Sequence, residues 1–203
     1  MNYSSLVSSV HLSPNCTKRT HPIEGITPHH AAGCGTLEAL GEIFATGSAS
    51  ANYGISQDGR IACFVPEDYR AYTSSNREND DRCITIEVLN SAGAPDWPIS
   101  DAAYQSLVAL CADICKRHGF TLHFTGDKTG NLTMHRYFAN TNCPGPYLER
   151  LFPKLAEDVN ARLEARFYRV QVGAFRDKQN ALALQKRLQE AGYDDAFVVE
   201  VAG

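Results

Sequence analysis

Residues 134–146 read MHRYFANTNCPGP and carry a histidine and a cysteine on one irregular segment. His135 and Cys143 are eight positions apart, and an imidazole and a thiolate are two of the ligand types that zinc prefers. A catalytic zinc site has three protein ligands and an open fourth position. The fold of this chain must therefore bring a third ligand to 134–146 from another part of the sequence.

The candidate for that third ligand lies in residues 25–33, GITPHHAAG. The apolar residues around Ile26 predict a strand that ends at His29 and His30. The small residues that follow the two histidines would leave space for a pocket. Neighbouring side chains on a strand point to opposite faces. One of the two histidines can therefore reach a metal bound by His135 and Cys143, and the residues alone leave open which one.

A second apolar stretch, residues 82–89, reads RCITIEVL and carries a carboxylate. Its alternation puts Cys83, Thr85, Glu87 and Leu89 on one face of a strand and the β-branched residues between them on the other. A carboxylate in so apolar a strand is costly to bury unless something compensates it. Glu87 is therefore the strongest acid/base candidate, although the pattern alone fits a salt-bridged or edge-strand glutamate equally well.

The stretches HHAAG, RCITIEVLN and HRYFANTNCPG, in this order, resemble the zinc-dependent N-acetylmuramoyl-L-alanine amidases of type 2. That family includes phage lysozyme-like amidases and peptidoglycan recognition proteins, and the resemblance covers residues 5–163. It implies that His29, His135 and Cys143 bind Zn²⁺. It also favours a catalytic role for Glu87, because the family's glutamate lies in this I-x-I-E context.

The resemblance implies hydrolysis of the amide that joins the lactyl group of N-acetylmuramic acid to L-alanine of the stem peptide. Zinc lowers the pKa of a bound water to about 7, and Glu87 would take the water proton and return it to the leaving amine. Zinc and Thr141 would stabilise negative charge on the carbonyl oxygen. Other members often have a lysine at the position of Thr141, and threonine offers a neutral hydrogen bond in its place.

Two other functions fit part of this pattern. One is a recognition module that binds muropeptide without cutting it, as relatives without the metal do, and Cys143 is the feature that argues against it. The other is a zinc peptidase that cleaves within the stem peptide, for which the same three ligands would serve.

Composition excludes several classes of partner. The net charge of −4 and the absence of Lys or Arg runs give no basic field for nucleic acid or a membrane surface. No apolar stretch approaches the roughly 20 residues that a transmembrane helix needs. Seven cysteines are an odd and scattered number, which indicates reduced thiols made in a cytosol.

The N-terminal residues MNYSSLVSSV lack the basic start and apolar block of a signal peptide. We therefore expect cytoplasmic synthesis and action on the cell wall after release. Within the family, this pattern resembles a phage or prophage endolysin that is released through a separate pore protein.

The periodicities predict an α/β fold, with a mixed central sheet flanked by helices in a catalytic domain of residues 1–165. Asp58-Gly59 predicts a hairpin turn, Ser100 a helix cap and Gly119 a helix end. The other predicted elements are helices at 36–45, 101–118 and 146–163, a short strand at 120–124, a lead-in loop at 4–20 and a substrate-side loop at 66–81.

Residues 166–203 have a different pattern, FYRVQVGAF and AFVVEV as strands on either side of the helical DKQNALALQKRLQEAG. This small β-α-β appendage resembles one half of a SPOR domain, the module that binds peptide-stripped glycan in bacterial walls. A unit of under 40 residues has too little core to stand alone. It would pack on the amidase domain of its own chain or pair with a second copy, and we expect a homodimer because twofold dimers are the commonest assembly.

Overall fold

The computed structural model describes residues 2–164 and 170–201 of the 203-residue chain. The chain forms two compact units, Met1–Ala165 and Arg166–Gly203. The described strands of the first unit are β1 (Ser9–Val10), β2 (Cys16–Lys18), β3 (Gly25–His30), β4 (Tyr53–Ile55), β5 (Ile61–Cys63), β6 (Tyr69–Ala71) and β7 (Cys83–Val88). Its helices are α1 (Leu37–Thr46), α2 (Arg77–Arg82), α3 (Asp101–His118) and α4 (Pro146–Glu164), with a 3₁₀ turn at His135–Tyr137.

The central sheet is mixed, with the strand order β1-β5-β4-β7-β3. β7 pairs in parallel with both β3 and β4, and the predicted hairpin pairs β4 with β5 in the antiparallel direction. Beyond β3, the backbone carries an isolated parallel bridge between Ile26 and Leu132. The α/β fold with a mixed central sheet is thus confirmed, and residues 131–133 run alongside β3 on its outer side.

The two faces of the sheet bury two apolar clusters. The larger cluster joins Ile26, Ile84 and Ile86 of the sheet to apolar side chains of α3 and α4. The smaller one contains Leu89 and apolar side chains of α1. The alternation predicted for β7 is therefore confirmed, because isoleucines and Leu89 lie in different clusters.

The predicted helix signals act at the positions expected from the sequence. The Ser100 side chain accepts a hydrogen bond from the Ala103 N–H at 3.0 Å, and Gly119 ends α3 in the left-handed conformation with φ 76°. The Thr36 hydroxyl caps α1 in the same way. None of the helices in 2–164 and 170–201 combines the length and hydrophobicity needed to span a bilayer.

Both segments predicted as loops contain regular structure, so those two predictions are wrong. Residues 4–20 include β1 and β2, and residues 66–81 include β6 and α2. β2 pairs with β6 in a separate antiparallel ladder, and the Arg19 guanidinium donates to the backbone carbonyls of Glu67, Asp80, Asp81 and Cys83. These elements depend on hydrogen bonds between distant segments, which leave no hydrophobic periodicity in the sequence.

The strand predicted at 120–124 does not form. Leu122 is buried, but the side-chain amide of Asn160 accepts from its N–H at 3.0 Å and donates to its carbonyl at 2.9 Å. The His123 N–H likewise donates to the Asn131 side chain. Backbone groups that would form a ladder are thus satisfied by side chains.

A buried ion-pair network connects the segment after β5 to the end of α3. The Glu67 side chain is fully buried and accepts hydrogen bonds from the Arg117 guanidinium at 2.5 and 2.6 Å. His118 Nε2 lies 2.9 Å from the same carboxylate, and the Tyr53 hydroxyl donates to it. Burial by itself raises the pKa of Glu67, but the bonds from Arg117, His118 and Tyr53 outweigh it and lower the pKa to about 2.

The second unit contains the helix α5 (Lys178–Glu190), whose first turn is capped by Asp177. The predicted helix is therefore confirmed. The described parts of the two predicted strands, 170–175 and 196–201, form no β ladder, and residues 167–169 of the first strand lie outside the described residues. No residue within 170–201 is buried, so the described part of this unit contains no hydrophobic core.

Candidate metal and acid/base site

Three potential metal ligands, His29, His135 and Cys143, lie together at one end of β3. Their ligand atoms are all within 4.8 Å of one another. The His29 Nδ1 and Cys143 Sγ atoms are 3.2 Å apart, and the rings of His29 and His135 lie 5.0 Å apart at an interplanar angle of 60°. Two imidazoles and one sulfur are a donor set typical of a zinc site that keeps one position open.

Backbone hydrogen bonds bring these side chains together. The Ile26 N–H donates to the Asn131 carbonyl at 2.8 Å, and the Thr133 N–H donates back to the Ile26 carbonyl at 3.0 Å. The segment before His135 is thereby aligned with β3. The Arg136 N–H then donates to the Cys143 carbonyl at 3.2 Å, which folds the intervening loop so that Cys143 returns to His135.

The alternation of β3 separates the two histidines. His29 belongs to the three-residue group, whereas the ring of His30 contacts Trp97 edge-on at 5.5 Å. A Cβ atom at Gly145 would lie 3.2 Å from the His30 ring, so the ring packs against this glycine. Of the pair, the structure brings His29 to the other two candidate ligands.

Glu87 lies directly beside His29 on the neighbouring parallel strand, and paired residues project to the same face of a sheet. On its other side Glu87 pairs with Gly54, where a Cβ atom would come within 2.5 Å of the Phe64 ring. The Glu87 Oε2 atom is buried without a hydrogen-bond partner. Burial raises the pKa of Glu87 to about 8, and the apolar surroundings on this face are the cause.

The protein environment disfavours charge on each candidate ligand. Burial, together with His135 and His30, lowers the pKa of His29 well below its usual value, and burial lowers the pKa of His135. Burial and the Glu87 carboxylate raise the pKa of the Cys143 thiol. The imidazoles are therefore neutral, as metal ligands must be, and a thiolate at Cys143 requires a positive charge beside it.

An unpartnered nitrogen supports the fit to a metal ion. The His29 Nε2 atom is among the buried side-chain atoms of the described residues that have no hydrogen-bond partner. Such a buried polar atom is costly unless a ligand or solvent satisfies it. The donor set, the neutral imidazoles and this nitrogen all fit zinc.

Thr141 lies two residues before Cys143 and is half-buried. Its hydroxyl oxygen accepts a hydrogen bond from the Cys143 N–H at 3.2 Å. The hydroxyl is an acceptor in this bond, so its own proton is available for donation. Thr141 therefore contributes to the position of the Cys143 backbone, a contact that the sequence did not predict.

Three buried threonines next to the site are not among the residues predicted from the sequence. Thr27, Thr85 and Thr133 each precede one of His29, Glu87 and His135 by two positions. A spacing of two places residues on the same face of a strand, which is the signal that could have identified them. The side chains of Thr27 and Thr133 hydrogen-bond to Asn79 of α2, a helix in the segment that the sequence predicts as loop. The Thr85 hydroxyl instead contacts Thr73 and the Asn52 backbone N–H.

The chain matches two family models. Residues 19–146 match the family described as N-acetylmuramoyl-L-alanine amidase, and residues 164–203 match the SPOR domain. No curated protein matches the chain significantly.

Solved structures with a similar fold include a mutant of PlyL, with 14% identity and a TM-score of 0.60 over 75% of this chain and 98% of that chain. A selenomethionine derivative of AmpD has 21% identity and a TM-score of 0.58, covering 76% of this chain and 96% of that chain. The endolysin and N-acetylmuramoyl-L-alanine amidase LysCS from Clostridium intestinale URNW has 18% identity and a TM-score of 0.55, with coverages of 76% and 97%. These similarities concern the fold of the first unit.

Proposed function

Because the chain belongs to the N-acetylmuramoyl-L-alanine amidase family, we propose that residues 1–165 are a zinc-dependent catalytic domain. The chain is a peptidoglycan amidase, which hydrolyses the bond between N-acetylmuramic acid and L-alanine of the stem peptide. His29, His135 and Cys143 hold the zinc ion in this proposal. The observation that supports it is the convergence of their ligand atoms to within 4.8 Å beside the unpartnered carboxylate oxygen of Glu87.

A zinc ion held by His29, His135 and Cys143 would supply a Lewis acid for the scissile carbonyl and would lower the pKa of a water molecule bound to it. Beside a bound cation the Glu87 carboxyl, whose pKa burial alone raises to about 8, would be ionised at neutral pH. It would then take a proton from that water through its Oε2 atom and return the proton to the leaving amine nitrogen. The strand register supports this role, because Glu87 lies directly opposite His29. The burial of its Oε2 atom among apolar side chains strengthens electrostatic interactions at that atom.

Thr141 stabilises negative charge on the carbonyl oxygen by hydrogen bonding in this mechanism. Its hydroxyl oxygen accepts from the Cys143 backbone N–H, which leaves its own proton available for donation. A neutral hydroxyl gives a weaker hydrogen bond to an oxyanion than a charged donor does. The main charge stabilisation is therefore assigned to the metal.

We expect a chelator to abolish wall lysis and added Zn²⁺ to restore it. The proposed ligands are all protein side chains, so removing the ion leaves the buried thiol protonated and the imidazoles without a partner. A dye-release assay on purified walls, before and after dialysis against a chelator, measures the effect. Full lysis by a preparation shown to be metal-free would contradict the zinc proposal.

Mass spectrometry of the released fragments identifies the bond that is cut. Stem peptides that begin with free L-alanine are the expected product. Fragments cut within the stem peptide would indicate a zinc peptidase, and binding of muropeptide without release of fragments would indicate a recognition module.

The second unit binds the glycan of the wall in this proposal, and the chain reaches the wall after synthesis in the cytoplasm, in the manner of an endolysin. The SPOR match over residues 164–203 supports the wall-binding role. We also propose that two copies pair through this unit. Val170, Val172 and Val201 are 83%, 60% and 79% exposed, and pairing would bury such apolar side chains.

For this pairing we expect the full chain to be a dimer at micromolar concentrations and a variant that ends at Ala165 to be a monomer. Loss of the second unit removes the apolar side chains that pairing would bury, whereas the first unit has its own core. The shortened variant should hydrolyse soluble muropeptide normally and sediment less with intact walls. Light scattering measures the mass, and a monomeric full chain at tens of micromolar would contradict the pairing.

A further inference from the structure

Three threonines each lie two residues before a candidate site residue. Thr27 and Thr85 are paired across β3 and β7, as His29 and Glu87 are two positions later. The bridge between Ile26 and Leu132 brings Thr133 to the outer side of β3. Side chains on one face of a strand repeat every two residues, so Thr27 and Thr85 lie on the same faces of β3 and β7 as His29 and Glu87. Thr133 is the third member of this row of threonines, in the segment beside β3.

Asn79 of α2 joins two members of this row. Its Nδ2 donates to Thr27 Oγ1 at 3.0 Å, and its Oδ1 accepts from Thr133 Oγ1 at 3.1 Å. The two threonine hydroxyls are themselves 2.8 Å apart. Thr27, Thr133 and Asn79 are 0%, 1% and 3% exposed, so these three side chains form a closed ring of buried hydrogen bonds, here called the polar ring.

The polar ring is anchored to the segment that precedes α2. Asn79 Nδ2 also donates to Ser74 Oγ at 3.2 Å, and the Asp80 carboxylate accepts from the N–H groups of Thr73 and Ser74 at 3.0 to 3.2 Å. The next residue, Ser75, has a positive φ of 58° and its Oγ lies 3.5 Å from His135 Nε2. Asn79 thus contacts β3, which carries His29, the segment that leads to His135, and the segment that contacts the His135 ring.

We propose that Asn79 is a positioning residue that sets the separation of His29 and His135 through the polar ring. This inference rests on the proposed metal function of the two histidines. A buried, fully satisfied set of hydrogen bonds fixes its members in one arrangement, because every alternative leaves a polar group unpaired. The two backbone positions that precede the histidines are therefore held together from inside the fold.

A purely structural polar ring would also stabilise the fold, so stability alone does not test the inference. Zinc affinity does, because interactions that orient metal ligands typically change affinity by about 10-fold to 100-fold when removed. The variants are Asn79→Ala, which opens the ring, and Thr133→Val, which keeps the side-chain shape but removes the hydroxyl. Thr133→Ser restores the hydroxyl and serves as the conservative rescue.

Asn160→Ala is the matched control. Asn160 also makes two side-chain hydrogen bonds within the first unit, but both go to Leu122. The zinc dissociation constant of each full-length variant is measured by competition with a chromophoric chelator, and the melting temperature is recorded in the same preparations.

We expect zinc affinity to fall by about 10-fold to 100-fold in Asn79→Ala and Thr133→Val, and to stay close to that of the wild type in Thr133→Ser and Asn160→Ala. At saturating zinc, kcat should remain lower in the first two variants while KM changes little. If Asn79→Ala does not fold, the difference in zinc affinity between Thr133→Val and Thr133→Ser tests the positioning role.

Unchanged zinc affinity in Thr133→Val, with a lower melting temperature as in Asn160→Ala, would overturn the positioning role and leave the metal proposal intact. A wild-type chain that binds no zinc would overturn both. The two failures are thus distinguished by the wild-type measurement.

Discussion

Replacing Glu87 with glutamine is expected to lower turnover by about two to four orders of magnitude, the usual contribution of a positioned proton-transfer group. Glutamine keeps the shape of the side chain but cannot accept the water proton. Zinc should remain bound at the wild-type stoichiometry, because Glu87 is not among the three candidate ligands. The measurements are kcat on a soluble muropeptide and the zinc content of the purified variant.

Glu157→Gln is the matched control for that substitution, because Glu157 is an exposed residue of α4. Its turnover should equal that of the wild type. Near-normal turnover in Glu87→Gln would contradict the catalytic role and indicate that Glu87 is a structural residue. Loss of zinc together with turnover would indicate that the carboxylate supports the metal rather than the proton transfer.

The largest expected effect on stability comes from Glu67→Gln. Removing one partner of a buried ion pair costs on the order of 3 to 5 kcal/mol, because the other charge is left without compensation. Here that charge is Arg117, which donates to both carboxylate oxygens. Because Arg117 keeps its pair with Asp113 at 2.8 Å and is 29% exposed, we expect the loss to lie toward the lower end of this range. Denaturant unfolding at neutral pH measures the difference. Asp96→Asn, which breaks an exposed pair with Arg150, is the control and should change stability far less.

The contribution of Glu67 should also disappear in acid. Its pKa is about 2 in the folded protein against 4.5 for an unperturbed glutamate, so the folded state binds the proton less tightly than the unfolded state. The resulting stabilisation, about 3 kcal/mol, is fully present above pH 4.5 and is lost as the pH falls toward 2. The stabilities of the wild type and Glu67→Gln should therefore converge over this interval, and a constant difference would contradict this account.

The sequence predicted the elements whose signals are local. Ser100 and Gly119 bound α3 because a helix cap and a left-handed helix end are properties of one or two residues. The alternation in 82–89 predicted which residues of β7 share a face, because that face depends on the position along the strand. The same rule required His29 and His30 to separate, and the resemblance to known amidases then selected His29.

The elements that the sequence analysis missed depend on distant partners. β2 and β6 are each three residues long, and each forms because the other supplies its hydrogen bonds. Residues 120–124 carry an apolar strand pattern, yet the side chains of Asn160 and Asn131 satisfy most of their paired backbone groups. Within this described segment, only the His123 carbonyl accepts from a neighbouring backbone, that of residues 131–132, and no ladder forms. In the second unit, the described parts of two strand-like segments form no ladder within 170–201.

Residue types and spacing by themselves indicated that His135, Cys143 and one of the pair His29 and His30 could bind a metal, and that Glu87 was an acid/base candidate, because imidazole, thiolate and carboxylate chemistry belongs to the side chains. Tertiary structure decided their separations and their environment. The 3.2 Å contact between His29 Nδ1 and Cys143 Sγ and the polar ring around Asn79 join residues that are 50 or more positions apart in the chain. The same packing buries the Oε2 atom of Glu87 without a hydrogen-bond partner. Such contacts form because burial of the surrounding strands and helices fixes the backbone, and no local pattern encodes them.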